Sequence, residues 1–246
     1  MLITSEYVDI PVGGRAMRTF VAAPAGEHKY PGILCYSDIF QLTGATLRSC
    51  VRLAGYGFIV AVPEIYHRIE PSGTVLAFDD AGRDRGLADA AATPVADFDA
   101  DCRAALDYLK SLPQVAQGRI GAAGWCIGGH LAFRAALQHD VKATVCFYAT
   151  GVDTGKLGKD ADAGSLARAG EIKGELMMVW GTADPHIPAA GRQTIRQALD
   201  AWRVSYVFHE FPAAHAFMRD EGPRYDPEVT DAAHNAMVAH FRRSFA

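Results

Sequence analysis

Six short and almost continuously apolar runs, each bounded by Gly, Pro or Asp, leave this chain few folds to choose from. They are YPGILCYSD (30–38), GFIVAVPE (57–64), GRIGAAGW (118–125), VKATVCFYA (141–149), KGELMMVWG (173–181) and VSYVFHEFP (204–212). A strand with one wet face alternates polar and apolar residues, whereas runs this uniform suit strands covered on both faces. Segments of helical period lie between them, at about 43–55, 88–112, 127–139, 189–202 and 227–244. Strand alternating with helix builds βαβ units. The expectation is an α/β chain whose central sheet is mostly parallel and flanked by helices on both faces. Upstream, SEYVDIPV and RAMRTFVAAP alternate apolar and polar residues on either side of Gly13-Gly14, the pattern of an antiparallel hairpin.

With 246 residues, half of them hydrophobic, the chain can bury one large core, and a single domain over 1–246 is expected. A net charge of -4 offers no basic face for a phosphate backbone, so nucleic acid is not an expected partner. No run approaches the roughly 18 apolar residues of a membrane span, and MLITSEYVDI lacks the basic flank and apolar centre of a secretory signal. A cytoplasmic protein with no membrane partner is therefore expected, as a monomer or small homo-oligomer. The five cysteines, Cys35, Cys50, Cys102, Cys126 and Cys146, are irregularly spaced and form no Cys-x-x-Cys pair. That spacing suits reduced thiols, and no metal site is expected. Two stretches read as loops: 64–87, long and polar, and 151–170, rich in Gly, Asp and Lys.

Chemistry concentrates in GAAGWCIGGHLAF (121–133). An apolar strand ends at Trp125 and a helical pattern begins at Ile127, so Cys126 falls on the turn between them. Glycines two positions before and two after, Gly124 and Gly128, give such a turn room. This is the cysteine form of the nucleophile elbow, in which a strained residue is projected above the sheet at a helix N-terminus that favours a thiolate. A buried, inert cysteine is the ordinary alternative.

A thiol still needs a base, and the base needs an orienting acid. In α/β hydrolases these follow the nucleophile in the order acid, then histidine. Asp184 lies in VWGTADPHIP after one apolar run, and His215 lies in FPAAHAFMRD after the next. His186 is too close to Asp184 along the chain to be a good alternative base, and His209 reads as a strand residue. His130, His234 and His240 lie on helices, where packing or solvation accounts for them; His28, His67 and His139 carry no clear role. Backbone amides should hold the oxyanion: that of Ile127, next to the nucleophile, and that of Ile39, after GILCYSDIF.

YSDIF, VPEIYHR, GWCIGG, GTADPHIP and AAHAFMRD, in this order along nearly the whole chain, together resemble the dienelactone hydrolases, or carboxymethylenebutenolidases. The resemblance implies an α/β-hydrolase fold, a Cys-His-Asp triad, no cofactor, and a small lactone or ester as substrate. It also implies that Arg219, four residues after His215, holds a substrate carboxylate, together with an arginine that is either Arg83 or Arg85. Two guanidiniums of this kind select an anionic substrate. The family usually has glutamate where this chain has Asp38, and there it pairs with the resting thiol. Aspartate is one methylene shorter. Gln41 also stands where the family often has glycine.

The reading is thus a hydrolase that cleaves a small, carboxylate-bearing lactone or ester through a cysteine acyl-enzyme, with Cys126, Asp184, His215 and Asp38 in the chemistry. Rivals are a non-catalytic small-ligand binding protein on the same fold, a thioesterase or peptidase, and a thiol redox protein using Cys146.

Overall fold

All six apolar runs are strands of one eight-stranded sheet in the computed structural model, which describes residues 1–246. β1 (Ile3–Val12) and β2 (Arg15–Pro24) form the antiparallel hairpin. Its turn is Gly13-Gly14 at φ 58° and 75°, the left-handed conformation that a two-residue hairpin turn requires. There follow β3 (Tyr30–Tyr36), β4 (Ile59–Pro63), β5 (Val115–Trp125), β6 (Val141–Phe147), β7 (Glu175–Gly181) and β8 (Tyr206–Phe211). The spatial order is β1-β2-β4-β3-β5-β6-β7-β8. β2 pairs antiparallel with β4, and every pairing from β4 to β8 is parallel.

The chain runs outward from β3 to β4 and then returns to the other side of β3 to lay down β5. Strand order therefore reverses at β3/β5. In open α/β sheets a crevice opens beyond the carboxyl ends of the strands at such a reversal. The loop after β3 and the turn after β5, the two segments singled out in the sequence, meet there.

Helices cover both faces. α1 (Gly44–Ala54) adjoins the C-terminal helix α6 (Pro227–Ser244) through an Arg52–Asp231 ion pair of 2.9 Å and the rings of Tyr56 and His234. α3 (Val95–Ser111) and α4 (Ile127–Ala136) are joined by a two-pronged Arg134–Asp99 pair, with bonds of 2.8 and 2.6 Å. α5 (Ala189–Ala201) bridges β7 and β8 along the chain. No helix is long and apolar enough to cross a membrane.

One expected helix is divided. Instead of a single element over 88–112, α2 (Asp80–Ala92) ends before Thr93-Pro94 and α3 begins after it. Proline supplies no N–H and drives its predecessor to extended backbone, and Thr93 takes ψ 120°. The expected loop over 64–87 is correspondingly shorter, because α2 already starts at Asp80, capped by Asp79 Oδ1 accepting from the Gly82 amide at 2.8 Å. Gly82 and Gly86 lower the helix propensity of this stretch. Its helix is fixed by packing instead: a Cβ on Gly86 would lie 2.5 Å from the Ile39 carbonyl oxygen.

Candidate active site

Cys126 is half-buried and has φ 59° and ψ −122°, a conformation costing a non-glycine residue about 1–3 kcal/mol. Its surroundings hold it there. Its amide donates to the Phe147 carbonyl at 3.1 Å, and its own carbonyl accepts from Gly129 and Thr150 at 3.0 and 3.2 Å. The flanking glycines are sterically required: a Cβ on Gly124 would sit 1.9 Å from the Gly128 oxygen, and one on Gly128 would sit 2.2 Å from the Ser37 oxygen. Five non-glycine residues have positive φ, and four of them, Gln41, Cys126, Tyr148 and Ala216, border this site. Backbone strain is concentrated where the sheet's crevice opens.

Asp184 follows β7, and its carboxylate is almost wholly buried. Oδ1 accepts from the His186 amide at 2.8 Å, and Oδ2 accepts from Nδ1 of His215 at 2.7 Å. That bond places a ring proton on Nδ1 and leaves Nε2 as the nitrogen not engaged by Asp184. His215 and Cys126 line the same cavity, although no hydrogen bond of standard geometry joins their side chains. Burial lowers the His215 pKa, but the charge of Cys126 and the bond to Asp184 outweigh it and lift the value to about 9. The edge of the Tyr148 ring meets His215 at 5.1 Å between centroids.

Ile39 and Ile127 both line the cavity beside Cys126. Ile127 opens α4, so its amide has no intrahelical acceptor. In the 37–41 loop, Asp38 Oδ1 accepts from Phe40 and the Asp38 carbonyl from Gln41, which leaves the Ile39 amide between them unbonded. Gln41, where the family often has glycine, keeps the left-handed backbone glycine would favour, at φ 66°. Its side chain reaches the Tyr66 amide and the Thr74 carbonyl and ties this loop to the 64–79 loop.

Asp38 faces Arg219. Nε and Nη2 of the guanidinium both donate to Oδ2, the former at 3.1 Å. Of the other two arginines, Arg83 lines the cavity and is paired with Asp80 and Asp84, whereas Arg85 is held by Glu70 and does not line it. Among the histidines set aside earlier, His186 lies at the site, its ring against His215 at 4.7 Å. Its closeness to Asp184 along the chain concealed this, because Asp184 binds the His186 backbone and leaves the ring free to turn toward His215. His130 is fully buried under the elbow, between the Thr150 carbonyl and Ser165. Cys146 is also fully buried, and burial pushes its thiol pKa well up.

A strained residue on a strand-to-helix turn, sharing a cavity at the carboxyl edge of this sheet with a histidine bonded to a carboxylate, suits an α/β hydrolase. The sequence profile of the dienelactone hydrolase family matches residues 17–245, and the chain belongs to that family. It is 37% identical over 254 residues to a carboxymethylenebutenolidase-type protein of Saccharomyces cerevisiae, covering 99% of this chain and 93% of the other. It is 28% identical over 243 residues to the carboxymethylenebutenolidase of Pseudomonas sp. (strain P51), covering 99% and 96%. A dienelactone hydrolase-type crystal structure from Klebsiella pneumoniae superposes with a TM-score of 0.85 at 23% identity, covering 99% of this chain and all of that one. The protein is a dienelactone hydrolase-like hydrolase.

Proposed function

We propose that the protein hydrolyses carboxylate-bearing lactones or esters through a thioester on Cys126. The supporting observation is that His215, bonded to Asp184, lines the same cavity as a cysteine held in strained backbone. His215 Nε2 takes the thiol proton, and the thiolate sulfur forms a bond to the substrate carbonyl carbon. Negative charge builds on the carbonyl oxygen, where the amides of Ile39 and Ile127 receive it. As the tetrahedral species collapses, the ester C–O bond breaks and His215 returns its proton to the departing alkoxide oxygen. Water then gives a proton to His215 and its oxygen to the acyl carbon. The C–S bond breaks, the acid leaves and the thiol is restored.

Arg219 supports an anionic substrate in a particular way. Its charge is matched at rest by Asp38, so a substrate carboxylate must compete with that residue. In the family the residue at this position pairs with the resting thiol and is displaced by substrate; here Asp38 is held by Arg219 at rest instead, so substrate would displace it from a guanidinium rather than from the sulfur. Arg83 is the better second arginine, because it lies on the cavity wall and Arg85 does not. The five irregularly spaced thiols suit work in a reducing, cytoplasmic compartment.

The test is hydrolysis of para-nitrophenyl acetate and of carboxylated lactones by wild type and Cys126→Ala, with intact-mass measurement after rapid acid quench. An added acyl mass on wild type and its absence from the variant are expected. Undiminished turnover by Cys126→Ala would refute the nucleophile.

A further inference from the structure

The cavity over Cys126 has a volume of about 780 Å3. Pockets between about 300 and 1,000 Å3 enclose ligands of drug size, so this one far exceeds a bare butenolide ring. The extra space has its own walls. Ala90, Ala91 and the half-exposed Leu87 of α2 contribute one apolar side, and Leu157, from the loop after β6, contributes another.

Charge in the lining is unevenly satisfied. Arg219 is matched by Asp38, and Arg83 by Asp80 and Asp84. The lining carboxylate, Asp160, accepts from the Val95 amide at 2.8 Å. Lys156 and Arg224 have neither an ion pair nor a hydrogen-bonded partner; both are exposed at the opening and both line the cavity. Arg224 also lies near enough to His186 for its charge to bear on that imidazole. Two unpaired cations at the open end of an apolar chamber form a recognition surface for a second anionic group.

On the reading of the site as an ester hydrolase, we infer that its substrates are elongated: an apolar body lies along Leu87, Ala90 and Leu157, and an anionic group remote from the scissile carbonyl meets Lys156 and Arg224. This recognition is separate from that at Arg219, which lies deeper and is already paired. The remote anion is a carboxylate or another oxyanion, since lysine and arginine bind either by charge-assisted hydrogen bonds.

The test compares para-nitrophenyl hexanoate with the para-nitrophenyl monoester of adipic acid, which has the same carbon chain ending in a carboxylate. Wild type should favour the charged ester in kcat/KM. Lys156→Ala/Arg224→Ala should lose about tenfold on it through KM while keeping its rate on the hexanoate, the scale of charge-assisted bonds to one anion. Equal wild-type rates on both esters, or a double variant that retains the preference, would overturn the inference. Hydrolysis of para-nitrophenyl acetate, lost in Cys126→Ala, reports on the underlying reading alone. Its absence from wild type would refute that reading and this inference with it.

Discussion

Arg219 packs on the contacting rings of Phe40 and Phe78, its guanidinium carbon 4.8 and 4.7 Å from their centroids, and donates from Nε and Nη2 to one oxygen of Asp38. The two residues are separated by 181 positions in the chain. The pair joins the loop after β3 to the loop after β8 that carries His215, a link that the Arg48 pairs with Asp220 and Glu221 reinforce.

Both side chains are nearly buried, and removing one strands the charge of the other. Arg219→Ala and Asp38→Ala should each lose about 3–5 kcal/mol of stability in urea unfolding. The double variant should lose at least about 1 kcal/mol less than the sum, since residues in contact couple. Strict additivity would mean that the pair is not coupled in solution.

Asp184→Asn keeps the size of the side chain but removes the charge that orients His215 as a donor through Nδ1. Loss of a triad carboxylate by this substitution costs about 10⁴-fold in kcat elsewhere, and a fall of about 10³ to 10⁴ is expected here with para-nitrophenyl acetate. A change below about tenfold would remove Asp184 from the mechanism.

His215 also sets a pH dependence of stability, through the charge of Cys126 first and the bond to Asp184 second. The folded pKa of His215, about 9, lies above the ordinary histidine value near 6.5. Its contribution is therefore complete below about pH 6.5 and is lost as pH rises through about 9. Urea midpoints of wild type should exceed those of Asp184→Asn by more at about pH 6 than at about pH 10. An unchanged gap would contradict the direction of the shift.

Gly128→Ala places a methyl group 2.2 Å from the Ser37 carbonyl oxygen. Backbone cannot move aside as a flexible side chain can, so destabilisation of about 3 kcal/mol or more is expected by thermal unfolding. Gly14→Ala should show no such clash, because nothing lies within 4 Å of its Cβ; its cost comes only from φ 75°.

Ser165 donates to His130 Nε2 at 2.7 Å and accepts from Arg134 at 3.0 Å, pinning the loop after β6 to α4. Ser165→Ala leaves both partners short of a bond inside the protein and should cost about 1–3 kcal/mol. The loop carries Lys156 and Leu157 into the cavity wall. KM for long esters should therefore rise with kcat nearly unchanged, measured by steady-state kinetics; a selective loss of kcat would place Ser165 in the chemistry instead.

The order of strands and helices was legible because burial on both faces imposes a local pattern, and the elbow was legible because a sharp strand-to-helix turn needs glycine at fixed offsets from Cys126. Asp184 and His215 could be read from their places after successive strands. The division at Thr93-Pro94 was written in the sequence as a proline, yet the helical period on either side concealed it. The start of α2 was hidden for another reason: Gly86 is a poor helix residue chosen for its closeness to Ile39.

By itself the sequence determined what is local: which segments are strands, where the turn bearing Cys126 lies, and which residue types can serve as acid and base. Tertiary structure alone decided which distant charges meet. It turned Asp38 to Arg219 and Arg85 to Glu70, brought the His186 ring to His215, and left Lys156 and Arg224 unpaired at the cavity opening. Pattern and propensity act over a few residues, whereas an ion pair depends on where folding brings two side chains however far apart they lie in the chain.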